Sequence, residues 1–282
     1  MQYQQNTPEW LSFRKNKIGA SDAPVIMEVS PWKTPYQLWE EKLGVRENVT
    51  TAAMQRGTDM EEEARQAFEK ESGLVVFPHV RVSKEHDWMI ASLDGMDAEE
   101  KHMVEIKCPG KEDHEKAMDG VIPEKYLPQL QHQLCVTGLD FGYYFSYSRS
   151  AARILVIERD DKYISKLIKK EQEFYSCMME FVPPKLTDRD YAERNDPEWL
   201  ELSNSYLLVQ KQLKSLEEQE KQMKEQLITL AGRSNARGAG LKLSKIVRKG
   251  VVDYQMIPEL KGVNLEKYRK AAIETWRVAS EN

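Results

Sequence analysis

The spacing of apolar positions changes along the chain, and the changes mark its elements. Between Met103 and Cys108 it alternates: Val104, Ile106 and Cys108 share one face of an extended run, Glu105 and Lys107 the other, Pro109-Gly110 ends it, and Gly110-Lys111-Glu112-Asp113-His114 is expected as a loop. Further strands are predicted over 74–83 and 88–93, joined by the polar turn 84–87, and over 141–147 and 153–158. Elsewhere the period is helical. Thr7-Pro8 opens a helix through Trp10, Leu11 and Phe13 that runs to about Lys17 and is broken by Gly19. Ser21-Asp22-Ala23-Pro24 opens a second, and Tyr36, Leu38, Trp39 and Leu43 carry a third, closed by Gly44. Helices follow over 54–72, 123–137 and 164–182, the last stopped by Pro183-Pro184. Strands interleaved with helices predict an α/β (α+β) domain over residues 1–184, a mixed central sheet flanked by helices.

Beyond Pro184 the pattern becomes a heptad. Leu202, Tyr206, Val209, Leu213, Leu216, Glu220, Met223, Leu227 and Leu230 step by four and three residues, which predicts a helical arm of about eight turns. With only four heptads, packing on a helix of the same chain is expected rather than a parallel dimer. Gly232 stops the arm. The following stretch holds Arg233, Arg237, Lys242, Lys245, Arg248 and Lys249 and no acid. Phosphate contact and a solvated basic hairpin fit it equally. Residues 185–282 thus form an expected C-terminal extension.

Composition narrows the partners. The 282 residues, 40% of them hydrophobic, suffice for one full core and an appendage. A net charge of −5 and a pI near 5.7 mean that DNA contact, if any, must come from local basic clusters. No apolar run could cross a bilayer and the first residues lack signal-peptide character, so no membrane partner and a cytoplasmic location are expected. Cys108, Cys135 and Cys177 are too far apart for a zinc, iron–sulfur or disulfide motif and read as buried thiols. The five histidines show no ligand spacing and are expected at the surface or in ordinary polar roles.

The candidate chemistry lies on the alternating strand. Glu105 and Lys107 share the face that the core does not need, and Asp94 stands eleven residues upstream, before Gly95. If Asp94 ends the preceding strand of a hairpin, the two carboxylates can grip one hard divalent ion, Mg²⁺ or Mn²⁺. Lys107 could then orient a water or stabilise charge during phosphodiester hydrolysis. An exposed cross-strand pair fits this short pattern equally. Glu61 lies beside the apolar stripe of its helix, formed by Gly57, Met60, Ala64, Ala67 and Phe68, whereas Glu62 and Glu63 fall on the solvated face. Ser21, at a helix start with Arg14 behind it, suits either an anion site or a plain N-cap. Trp32, after the turn at Ser30-Pro31, is expected in the core rather than wedged against a base.

Asp94-Gly95 followed by Glu105-Ile106-Lys107-Cys108-Pro109 resembles the PD-(D/E)XK nuclease core, a restriction-endonuclease-like fold. Four more blocks, in matching order, narrow the resemblance to the lambda exonuclease and YqaJ-type viral recombinase branch, over about residues 8–182. They are Ile18-Gly19-Ala20-Ser21-Asp22, Ser30-Pro31-Trp32, Met54-Gln55-Arg56-Gly57 with Glu61 and Ala64-Arg65, and Tyr126-Leu127-Pro128-Gln129-Leu130-Gln131. The resemblance implies Asp94, Glu105, Lys107, Glu61 and Gln129 as catalytic residues, with Asp94, Glu105, Ile106 and Glu61 around Mg²⁺, for which Mn²⁺ can substitute. It implies a pocket for a terminal 5′-phosphate from Arg14, Ser21 and Ser92, joined by Lys111 or, more weakly, His114. It further implies 5′ to 3′ digestion of linear duplex DNA from its ends, a homotrimeric ring and a single-strand annealing partner, in a bacterial host or prophage. Lys242, Lys245, Arg248 and Lys249 are the expected further DNA contacts. A site-specific endonuclease on the same core is the alternative. A non-catalytic DNA-binding adaptor would need a broken acid constellation, and Asp94, Glu105 and Lys107 are all present.

Overall fold

The computed structural model describes residues 7–47, 52–248, 250, 257 and 258. Lys249 therefore lies outside the described residues. The chain divides into two compact units, Met1–Tyr191 and Ala192–Asn282.

In the first unit, α1 (Pro8–Lys15) is capped by Thr7, whose hydroxyl accepts the Trp10 amide proton at 3.2 Å, and it buries Trp10. Strand β1 (Ile18–Gly19), a 3₁₀ turn over Ala20–Asp22 and the short α2 (Ala23–Ile26) follow. Helix α3 (Pro35–Leu43) starts on a Thr34–Gln37 capping box and ends at Gly44, whose φ of 74° is left-handed. Helix α4 (Ala52–Ser72) leads to β2 (Val76–Val82), β3 (Met89–Asp97) and β4 (Met103–Lys107). Then come α5 (Lys111–Met118), α6 (Leu127–Thr137), β5 (Phe141–Ser148), β6 (Ala151–Glu158) and α7 (Asp161–Glu180).

Two elements depart from expectation. Strand β3 does not stop at Leu93 but runs through Asp94 and Gly95 to Asp97, so the candidate acid Asp94 sits inside a strand. Gly95 permits this, since a Cβ there would come within 2.6 Å of Val76 and 2.7 Å of Val104 on the flanking strands. The stretch after Gly110, expected as a loop, forms α5; Glu112 and Asp113 in its first turn and Lys116 in its last suit the helix dipole.

The sheet carries both hands of pairing, in the order β1-β3-β4-β5-β6, with β2 on β3. Strand β3 pairs along one edge with antiparallel β2. Its other edge is shared: parallel β1 takes the start, with Gly19 opposite Ile90, and antiparallel β4 takes the end, with Val104 opposite Gly95. The edge is therefore forked, and among the described residues no strand covers it from Ala91 to Asp94. Helix α6 supplies the missing donors: His132 Nε2 lies 3.0 Å from Ile90 O, and Gln133 Nε2 reaches Ser92 O at 3.5 Å.

Apolar clusters close both faces. Ile18, Met89, Leu134, Phe174 and Met178 join β1 and β3 to α6 and α7. Phe68 and Ala64 of α4 pack with Val76, Val104, Ile106 and Phe145. Val104 and Ile106 thus face α4, as their alternation requires, which turns Glu105 and Lys107 toward α6.

Chain beyond Pro184 stays with this unit to Tyr191. Arg189 donates to Ser30 O and Pro31 O, each at 3.0 Å, and Thr34 bonds Asp190. These bonds hold the turn on which Trp32 stands. Trp32 is not in the core but 68% exposed.

In the second unit, α8 (Pro197–Leu230) is 34 residues long and is capped by Asp196, which accepts the Trp199 amide proton. It is the unit's one long helix among the described residues, and Leu202, Leu216 and Leu230 on its stripe are exposed. A hairpin of β7 (Ala236–Gly238) and β8 (Leu241–Leu243) follows and carries Arg237 opposite Lys242. Among the described residues no helix is long and apolar enough to cross a membrane.

Candidate active site

The fork in β3 is where the candidate residues meet. Glu105 is 2% exposed, and three donors converge on its carboxylate. Lys107 Nζ and Gln129 Nε2 each stand 2.5 Å from Oε1, and Gln133 Nε2 stands 2.5 Å from Oε2. Asp94 Oδ2 accepts the Ile106 amide proton at 2.8 Å, which fixes that carboxylate against β4 just where the two strands part.

The electrostatics follow from this crowding. Burial, and next the Glu105 carboxylate, push Asp94 well above the usual aspartate range, against Lys107 and the Ile106 amide. Burial works against the charge on Lys107, yet Glu105 and Asp94 hold its pKa above the ordinary lysine value. Glu61 is raised as well: burial leads, Arg65 opposes, and Glu105 adds to the rise. Glu61 is therefore within electrostatic reach of the pair, as its place on the helix stripe suggested. Glu63 stays at the surface, as expected of the solvated face, and there accepts from Tyr147 Oη at 2.8 Å and from Arg149. Burial pushes Cys108 up to about 11, which keeps it a thiol.

Asp94 and Glu105 are hard oxygen donors, and the rise that Glu105 imposes on Asp94 is the repulsion a bound dication relieves, so this pair fits Mg²⁺ or Mn²⁺. Glu61 does not complete a closed set: among the described residues no three acidic, histidine or cysteine side chains gather to hold an ion.

A second cluster forms at the start of β1. Arg14 Nη2 lies 3.5 Å from Ser21 Oγ. The buried Asp22 accepts the Gly19 amide proton at 2.8 Å and pairs with Lys42. Burial would raise Asp22, but Lys42 and then Arg14 hold it below the usual range. Ser21 is no N-cap: it lies inside the 3₁₀ turn capped by Gly19, and Asp22 is the residue before α2. Ser92 lies on β3 two residues beyond Ile90, the partner of Gly19. Lys111 is not brought to this cluster: its side chain is 87% exposed and pairs with Glu115 at 3.8 Å. His114 is held by Ser146 Oγ at 2.8 Å and Ser148 Oγ at 3.1 Å on β5.

Three neighbouring side chains carried no assigned role in the sequence. Gln133 stands four residues after Gln129, a spacing that aims both at one point from one helix. His132 is fully buried between Ile90 O and Glu171, whose Oε1 is 2.8 Å from Nδ1; nothing in the sequence marked it as the one histidine inside. Tyr126 lays its ring 5.5 Å from Lys107 Nζ, and burial pushes its phenol up to about 12.

Comparison with known proteins finds relatives of this chain. A profile of the YqaJ-like viral recombinase domain matches residues 9–140. The uncharacterized protein YqaJ of Bacillus subtilis (strain 168) is 30% identical over 244 residues, 78% of this chain and 76% of that protein. The crystal structure of an alkaline exonuclease, LHK-Exo from Laribacter hongkongensis, is similar at a TM-score of 0.55 and 26% identity, covering 71% of this chain and 100% of that one. LHK-Exo in complex with dAMP matches with the same values.

Proposed function

The chain belongs to the YqaJ-like viral recombinase family, and on that premise we propose that it is a metal-dependent deoxyribonuclease digesting linear duplex DNA from its ends in the 5′ to 3′ direction. The product is a 3′ single strand, the substrate an annealing protein needs for phage-type recombination. The observation that carries the reading is the buried Glu105 carboxylate, gripped by Lys107, Gln129 and Gln133 beside a destabilised Asp94. Holding two acids this close inside a protein costs stability, a cost that a bound cation would offset. The likeness to an alkaline exonuclease adds the reaction class.

Asp94 and Glu105 would hold Mg²⁺ or Mn²⁺, with Ile106 and Glu61 beside them. The bound ion would polarise the scissile phosphodiester and lower the pKa of a water. Lys107, kept charged by Glu105 and Asp94, offers its remaining N–H donors to charge developing on the phosphate. Gln129 and Gln133 hold Glu105 in one orientation, and Asp94 cannot rotate while it accepts from Ile106. Arg14, Ser21 and Ser92 would receive a terminal 5′-phosphate, the first as a charge-assisted donor. Lys242, Lys245, Arg248 and Lys249 would add backbone contacts, and a trimeric ring would let a chain of net negative charge line its channel with bases.

The test is to incubate linear, nicked and closed circular duplex with Mg²⁺, each end of the linear form carrying its own label. Loss of the 5′ label first, with closed circles intact, is expected. Linearisation of closed circles would make the protein an endonuclease, and no cleavage of any form would overturn the reading.

A further inference from the structure

The exposed Trp32 serves neither the core nor the carboxylate site. It has no freedom to hide. Its own amide donates to Ser30 Oγ at 3.3 Å, and Arg189 holds the carbonyls of Ser30 and Pro31 from a segment far along the chain. A large apolar ring on a turn fastened from both sides is displayed, at a cost in apolar surface left in water.

Its position connects it to the site. Lys125 Nζ sits 4.6 Å from the centroid of the Trp32 ring and 5.4 Å from that of Tyr126, and Lys107 Nζ lies 5.5 Å from the same Tyr126 ring. Asp113 pairs with Lys125 at 2.5 Å and keeps it in place. Cation and ring thus alternate from Lys107, inside the site, out to Trp32 at the surface.

We infer that Trp32 and Lys125 form a nucleic-acid subsite: the free part of the indole stacks on a base of the strand leaving the site, and the Lys125 ammonium meets a neighbouring phosphate. Aromatic stacking accepts any base, as a nuclease without sequence preference requires, and cationic groups beside the ring follow the backbone. This subsite rests on the deoxyribonuclease reading and extends it.

The experiment uses the full chain in EDTA, so that binding is read without cleavage, and a short duplex with 2-aminopurine placed at successive positions from either end. In the wild type, one position near an end changes fluorescence on binding. Trp32→Ala should abolish that change and weaken binding about tenfold, while Trp32→Phe keeps most of both. The melting temperature and the salt slope of Trp32→Ala should match the wild type, because an exposed ring that meets no phosphate supports neither; Lys125→Ala should flatten the log–log slope by about 0.9, the share of one phosphate. Equal affinity and an unchanged 2-aminopurine signal in Trp32→Ala would overturn the subsite. The Mg²⁺ assay separates the two readings: a wild type that cuts nothing yet shows the Trp32-dependent signal leaves the subsite standing and removes the nuclease. A wild type that digests ends while Trp32→Ala binds as tightly removes the subsite alone.

Discussion

Gln133 Nε2 holds the Oε2 oxygen of Glu105 at 2.5 Å, from the opposite side to the donors on Oε1. A carboxylate offers about four lone-pair directions, and three are taken, so Glu105 has room for about one further partner. Gln133 therefore acts as an orienting group. Gln133→Leu should lower kcat about 10- to 100-fold and raise the Mg²⁺ concentration needed for half-maximal activity, with melting little changed. A variant with wild-type kcat and metal midpoint would show that the bond does not steer Glu105.

Asp94→Asn, Glu105→Gln and Lys107→Met should each lower cleavage by at least about a hundredfold and leave DNA binding in EDTA largely intact. Activity near wild type in any one of them, measured on an end-labelled duplex, removes that residue from the chemistry.

The Arg14–Ser21 cluster predicts a preference for phosphorylated ends. A duplex with a 5′-phosphate should be digested faster than the same duplex with a 5′-hydroxyl, and Arg14→Ala should erase the difference. Equal wild-type rates on both ends speak against the pocket.

The buried His132–Glu171 pair sets a pH dependence of stability. Burial alone would lower His132, but Glu171 outweighs it and raises the folded value above the ordinary 6.5. Glu171 is itself raised by burial. A raised folded pKa stabilises fully below the unfolded value and ceases to as pH climbs through the folded one, so both groups act in the same direction. Asp22 adds to the rise of His132 and bonds to neither. The melting temperature in EDTA should fall as pH rises above about 6.5, and Glu171→Gln should make that fall shallower. An unchanged pH profile in the variant would refute the assignment.

The basic segment of the second unit predicts a change in salt response. Replacing Lys242, Lys245, Arg248 and Lys249 together by alanine should weaken DNA binding and flatten its dependence on salt, by about 0.9 in log–log slope for each phosphate that is no longer neutralised. Cleavage of a saturating short duplex should stay near wild type while run length on long duplex falls. Unaltered slope and run length would assign the segment to solvent or a protein partner.

How much of this was legible depended on range. The division of β4 into a Val104–Ile106 face and a Glu105–Lys107 face follows from a period of two and needs nothing distant. The mixed sheet with flanking helices was legible for the same reason. The fork in β3 was not, because it arises from β1 and β4 sharing one edge, and only that sharing explains why His132 and Gln133 are buried. Trp32 was misplaced because the restraint on its turn comes from Arg189. Helix α5 was hidden by its composition, since Lys111-Glu112-Asp113-His114 reads equally as a loop.

The forked edge also sets an order of events during synthesis. Strands β1 and β3 are parallel neighbours separated by some seventy residues of chain, and the uncovered stretch of β3 stays open until α6 arrives, with His132 awaiting Glu171 on α7. Pairing over such separations closes late in folding. Asp94 and Glu105 are made before Gln129 and Gln133, so the nascent chain first carries the acids without the groups that orient them. A polypeptide cut short before α6 should accordingly be inert toward the DNA of the cell that makes it.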